Sequence, residues 1–150
     1  MNKEKNMEII NKMKLEFPSR SDNERFARTV AASFVLELDP TIDELSELKT
    51  AVSEAVTNAV LHGYDGGEGI ITLEGELTKN AVTFTVTDSG RGIEDIAKAR
   101  EPLYTGKPEA ERFGMGFTIM EAFTDSLAVE SAPGRGTRVT MTKIMEAADE

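Results

Sequence analysis

The chain has 150 residues, 39% of them hydrophobic, which suits one compact soluble domain with a sizeable core. It contains no cysteine, so a disulfide framework, a thiolate zinc site and a cysteine nucleophile are excluded. A net charge of −10 at pH 7 argues against a general binder of nucleic acid and suits a basic partner, or a ligand whose charge a metal masks, although charge alone also serves solubility. No apolar run reaches the length of a membrane span and "MNKEKNMEII" lacks a signal-peptide core, so a cytoplasmic location is expected.

In chain order, "KMKLEFPS" alternates Met13, Leu15 and Phe17 and predicts a half-buried first strand ended by Pro18. "SDNE" places Ser21 and Glu24 at capping-box spacing and opens a helix running to about Leu38. "TIDE" repeats the device with Thr41 and Glu44, and the second helix continues to Gly63. "GIITLEGELTKNAVTFTVTD" predicts two strands around a turn at Lys79-Asn80. A short helix, "IEDIAKAR", precedes a loop from Glu101 to Gly114, after which "GFTIMEAF" resumes helix. "SLAVES" and "TRVTMTKI" form a last hairpin, and "MEAADE" is expected to fray. This order, β-α-α-β-β-α-α-β-β, predicts a two-layer α/β sandwich in which a mixed β-sheet is covered on one face by helices.

Four stretches carry chemistry. In the second helix Leu45, Leu48, Val52, Val56 and Ala59 share one face, while Glu54, Asn58 and His62 line its flank at intervals of four. Ala51 and Ala55 frame that stripe and leave room for something to approach. In "TDSGRGI", Asp88 closes a strand before Gly90 and Gly92, where a carboxylate can accept from a ligand N–H and bare glycines let the ligand lie on the backbone. In "RFGMGF", Gly114 and Gly116 stand before the expected helix, where backbone N–H groups and the helix dipole suit phosphates. In "GRGTRV", Thr137 enters the last strand after Gly136. Taken singly, each is also an ordinary structural feature: a stripe by chance, an Asx exit turn, a common G-x-G, a plain turn. The combination in this order is not ordinary.

A polar helix carrying Asn58, then D-x-G-x-G, then G-x-G, then G-T, resembles the nucleotide-binding superfamily of sensor histidine kinases, type II topoisomerases, mismatch-repair ATPases and heat-shock chaperones. "SDNERFARTVAASF", "SEAVTNAVLHGY", "DSGRGI" and "EPLYTGKPEAERFGMGFTIMEAF" together resemble the anti-sigma factor serine kinases, in particular their sporulation branch. The likeness runs from about Met13 to Met141, and it implies the histidine-kinase-type ATPase fold in a single domain over 1–150 with its core at about 13–143.

The resemblance implies a role for each matching residue. Glu54 would be the general base toward an attacking serine. Asn58 would present its amide oxygen to a Mg²⁺ ion on the phosphates of ATP or ADP. Asp88 would read the adenine amino group, with Gly90 and Gly92 beside it and Thr137 assisting. Gly114, Met115 and Gly116 would wrap the phosphates beneath a lid over 102–113, in which Arg112 would contact the γ-phosphate and Lys107 assist. His62 is expected to be a structural cap without a catalytic role. Arg28 and Glu24 match the family's partner-contact region, although a solvated i,i+4 pair reads equally well for Glu24. The partners implied are a sigma factor, sigma-F in the sporulation branch, and an anti-anti-sigma protein that is phosphorylated on serine; a homodimer is implied as well. The alternatives are a stress-response-type anti-sigma kinase, a nucleotide-gated binding module, and a detached histidine-kinase catalytic domain. The last is disfavoured because the only histidine is His62, inside the nucleotide helix.

Overall fold

In the computed structural model of the chain, residues 8–101 and 108–146 are described, with side chains for all of these except 108–114. The elements follow the expected order: β1 (Asn11–Pro18), α1 (Asn23–Val35) with a 3₁₀ turn at Leu36–Leu38, α2 (Ile42–Asn58) with a π turn at Ala59–Gly63, β2 (Ile70–Leu77), β3 (Ala81–Asp88), α3 (Ile96–Ala99), α4 (Pro108–Phe123), β4 (Ser126–Ser131) and β5 (Thr137–Ile144).

The strands form one sheet in the order β1-β2-β3-β5-β4. All of its pairings are antiparallel, where a mixed sheet was expected. The paired helices explain this correction. After β1 the chain goes out along α1 and back along α2, so it re-enters the sheet beside the end of β1, where the Ser19 N–H donates to the Gly69 carbonyl at 2.8 Å. A strand starting where its neighbour ends must run against it. Of the remaining three pairs, β2–β3 and β4–β5 are hairpins, the first turning at Lys79-Asn80 as expected, and β3–β5 is closed across α3, α4 and β4.

The helices cover one face of the sheet. From α2, Leu48, Val52 and Val56 bury against Ile71, Leu73, Phe84 and Val86 of the sheet, each side chain contributing about 1.5–3 kcal/mol. Phe34 of α1 packs on Phe84 with ring centroids 6.1 Å apart and a tilt of 57°, a favourable edge-on arrangement.

The two predicted capping boxes have different outcomes. At α2 both bonds form: Glu44 N–H donates to Thr41 Oγ1 at 3.1 Å and Thr41 N–H to Glu44 Oε1 at 2.9 Å. At α1 the N-cap is Asp22, without a side-chain cap bond, and Ser21 supplies only its carbonyl to the Glu24 N–H. The Glu24 carboxylate is engaged elsewhere, accepting from Ser53 of α2. The tail also departs from expectation in part. Met145 is fully buried, and the Glu146 N–H donates to Glu44 Oε2 at 2.8 Å; residues 147–150 lie outside the described residues. Among the described residues no helix is long and apolar enough to cross a membrane.

Candidate functional site

Helices and strands of both layers line a cleft of about 1030 Å³. The helix α2 and its π turn contribute Ala55, Asn58, Ala59, His62 and Gly63; β3 contributes Val86 and Asp88; β5 contributes Thr137 and Val139; Phe117 comes from α4. The cleft therefore brings together Asn58, Asp88, Gly92 and Thr137, four of the residues singled out from the sequence.

Asn58 ends the regular part of α2 and is only 8% exposed. Among the described residues its amide nitrogen has no hydrogen-bond partner. A buried amide left this way costs about 1–3 kcal/mol, so the group is built to meet something in the cleft. Glu54 is half-buried one turn earlier, and both side chains face α4 at Gly116. A Cβ on Gly116 would stand 3.1 Å from both terminal atoms of the Asn58 amide and 3.3 Å from Glu54 Oε1. A side chain here would require this edge to give by a few tenths of an ångström, so glycine lets α4 lie against it undisturbed.

At the far side Asp88 closes β3, 6% exposed and paired in register with Thr137 of β5. Burial raises its pKa above the usual aspartate value, against the opposing pull of the Gly90 and Thr137 backbone N–H groups. The Gly90 N–H donates to Asp88 Oδ1 at 2.9 Å. The helix side closes on the same carboxylate, since a Cβ on Gly63 would come within 2.8 Å of it. Gly92 has φ +77°, and a Cβ there would lie 2.0 Å from the Ala132 carbonyl oxygen, so only glycine fits. The Thr137 hydroxyl lies 3.0 Å from Ser131 Oγ, which donates to the Gly136 carbonyl and accepts from the Ile93 N–H.

The phosphate-loop expectation changes. Gly114 and Gly116 lie inside α4, which begins at Pro108, and not in front of its N-terminus. Proline at the first position and the helix formers Glu109, Ala110, Glu111 and Arg112 extend the helix upstream, outweighing two glycines that each disfavour it by about 0.5–1 kcal/mol. Met115 is 38% exposed. Lys107 and the rest of the expected lid over 102–107 lie outside the described residues, as do the side chains of Arg112 and Phe113.

Arg28 and Glu24 do not line the cleft. They form an i,i+4 ion pair at 3.8 Å on α1, and Glu24 also accepts from Ser53, next to Glu54. Sequence reasoning missed Arg91, Ile93, Lys98 and Phe117, all cleft-lining, and Tyr64, which braces the Asp88 turn. Arg91 could have been noticed, since it sits between the two motif glycines. Its Nε donates to the His62 carbonyl and its N–H to the Gly63 carbonyl, both at 2.8 Å. His62, expected as a cap, lines the cleft and offers its carbonyl to this arginine.

A magnesium ion fits this donor set. Among the described residues no group of three or more His, Asp or Glu side chains is placed to hold a metal. Magnesium, however, is commonly bound through one or two protein oxygens together with phosphates and water. The buried Asn58 amide in the cleft supplies one such hard donor.

Comparison with known proteins identifies the family. Residues 17–143 match the histidine kinase-like ATPase domain. An anti-sigma F factor of Clostridium botulinum (strain Alaska E43 / Type E3) is 60% identical over 134 residues, covering 89% of this chain and 94% of the relative. One from Thermoanaerobacter sp. (strain X514) is 57% identical over 137 residues, covering 91% and 96%. Among solved structures, the RsbU and RsbW domains of Rv1364c from Mycobacterium tuberculosis share the fold with a TM-score of 0.64 at 22% identity, over 89% of this chain and 32% of that one. The histidine kinase domain of a blue-light activated kinase from Erythrobacter litoralis does so with a TM-score of 0.55 at 18% identity, over 83% and 62%. A cleft between a polar helix edge and a buried strand-end aspartate, matched in sequence over nearly the whole chain, places this protein in the histidine kinase-like ATPase domain family, among the anti-sigma F factors.

Proposed function

We propose that this chain is a cytoplasmic, homodimeric anti-sigma kinase of the sporulation type. It sequesters a sigma factor of the F class and transfers the γ-phosphoryl group of ATP to a serine of a small anti-anti-sigma protein. Family membership supports the anti-sigma role and the ATP chemistry. The observation that carries the site assignment is the buried Asn58 amide, its nitrogen without a partner among the described residues, opening on a cleft whose other side holds buried Asp88.

In this reading Asp88, as the carboxylate, accepts a hydrogen bond from the exocyclic amino group of adenine, and Gly92 lets the ring lie against the backbone. Asn58 would hold Mg²⁺ through its amide oxygen, and the ion, when bound, would offset the charge of the phosphates. Glu54 accepts the proton of the attacking serine hydroxyl as that oxygen bonds to the γ-phosphorus and the β–γ bridging oxygen leaves with ADP. Arg112 and Lys107 offset charge on the transferring group. Arg28 and Glu24 contact the protein partners.

The test is a transfer assay with purified protein, Mg²⁺, labelled ATP and an antagonist from the same genome, run with and without Glu54→Gln. Label on an antagonist serine, reduced about 10²–10⁴-fold by the substitution while ATP binding persists, supports kinase and base together. No label despite ATP binding would leave a nucleotide-gated binding protein. Loss of ATP binding in the variant would make Glu54 structural.

A further inference from the structure

Asp88 can read a base only if the turn that carries it is held still. Its two flanks are tied to the helix that carries Asn58. On one side Arg91 bonds to the π turn, through its N–H to Gly63 and through Nε to His62, while its own carbonyl accepts from the Gly134 N–H at 2.7 Å. On the other side stands Tyr64, the residue immediately after that turn. Its hydroxyl accepts from the Ser89 N–H at 2.7 Å and donates to the Ile70 carbonyl at 2.6 Å. One oxygen thus joins the residue following Asp88 to the first residue of β2, the strand whose Ile71 pairs with Asp88.

The ring is seated with equal care. A Cβ on Gly69 would fall 2.2 Å from Tyr64 Cε1, so the glycine makes the room the ring occupies. Tyr64 itself donates its N–H to the Ala59 carbonyl at 3.0 Å, the five-residue spacing of the π turn. Such turns are uncommon, and here the turn delivers the tyrosine to the end of the neighbouring strands.

We infer that Tyr64 is a positioning residue for base recognition: its hydroxyl fixes the Ser89 peptide and thereby the Asp88 carboxylate, and so sets the preference for a base bearing an exocyclic amino group. This inference rests on the reading of Asp88 given above. Tyr64 touches no substrate in it and acts only through the turn. Holding a recognition group in advance of binding improves affinity for the ligand that uses that group and leaves other ligands alone.

The experiment measures dissociation constants for ATP and for inosine triphosphate, which carries a carbonyl oxygen where adenine carries its amino group. The proteins are the parent, Tyr64→Phe, Gly69→Ala and Asp88→Asn. Tyr64→Phe should weaken ATP binding about tenfold and leave the inosine nucleotide nearly unchanged, so the ratio of the two falls about tenfold. Gly69→Ala, which displaces the ring, should lower the ratio in the same way and serves if Tyr64→Phe does not fold. A merely structural tyrosine would lower the melting temperature and weaken both ligands alike, and an unchanged ratio in the tyrosine or glycine variant overturns the inference. If Asp88→Asn collapses the ratio while those variants keep it, only the role of Tyr64 falls. A parent without preference, or an Asp88→Asn variant that retains it, removes the base reading and this inference together.

Discussion

Gly116 of α4 and Asn58 of α2 meet so closely that a single added carbon would stand 3.1 Å from both ends of the Asn58 amide. The same carbon would lie 3.3 Å from Glu54 Oε1, so one glycine governs the space around two of the three polar residues of the α2 edge.

The consequence is an opposed pair of effects in Gly116→Ala. Alanine favours a helix interior over glycine by about 0.5–1 kcal/mol, so the melting temperature should hold or rise. The methyl must push the Asn58 amide by a few tenths of an ångström. Phosphotransfer should fall about tenfold or more, equivalent to roughly 1.4 kcal/mol. Thermal melting and the transfer assay on the same preparation check both halves; full activity would show that the edge has slack.

Asp88 carries a pH signature. Its pKa is raised by burial, and the ionised form is the one that accepts from an N–H donor. ATP affinity should therefore be retained above the raised value and be lost as pH falls through it, at a higher pH than an ordinary exposed aspartate would give. In Asp88→Asn that dependence should disappear along with most of the affinity. Titration calorimetry across the acidic range, on protein shown to be folded at each pH, reads the difference.

Glu44 works in the opposite direction and on stability. Burial pushes its pKa up, but N–H groups of Thr41 and Glu146, the Thr41 hydroxyl and the charge of Lys143 outweigh burial and hold it below the usual glutamate value. A depressed carboxyl stabilises the fold fully above the unfolded value, about 4.3, and loses that contribution as pH falls through the folded value. Glu44→Gln should cost about 1–3 kcal/mol at neutral pH, because one of the bonds to Thr41 or Glu146 is lost. The gap from the parent should narrow at acid pH, as denaturant titrations at the two pH values would reveal.

Glu24 ties α1 to α2 through Ser53, and its i,i+4 pair with Arg28 is the weaker contact at 3.8 Å. A double-mutant cycle with Glu24→Ala and Ser53→Ala should return a coupling of about 1 kcal/mol. The Glu24–Arg28 cycle should return about 0.5 kcal/mol or less, as half-exposed helix pairs do. Equal couplings would mean that Glu24 belongs to the surface of α1 and not to its packing on α2.

Local pattern carried most of the fold. The capping box at Thr41 and Glu44, the turn at Lys79-Asn80 and the final hairpin all appear where the sequence put them, because each depends on a few adjacent residues. The four-residue spacing of Glu54, Asn58 and His62 likewise fixed a shared flank of one helix before any contact was known. Asp88 was legible as a strand-end carboxylate for the same reason.

Other features depend on what lies across space. Ser21 and Glu24 have the same spacing as Thr41 and Glu44, yet Glu24 turns to Ser53, a partner remote in the chain. Gly114 and Gly116 suggested a helix start, but Pro108 and the helix formers after it set the start of α4, and Gly116 became the point of contact with Asn58. β1 and β2 pair antiparallel because α1 and α2 return the chain to the end of the sheet it left. The sequence by itself determined the polar helix edge, the strand-end aspartate and their family. Only the tertiary structure decided that Asn58 would be buried in the cleft and that Tyr64 and Arg91 would hold the Asp88 turn against the same helix. Periodicity acts within one element, whereas burial and bracing arise from residues that the fold alone brings together.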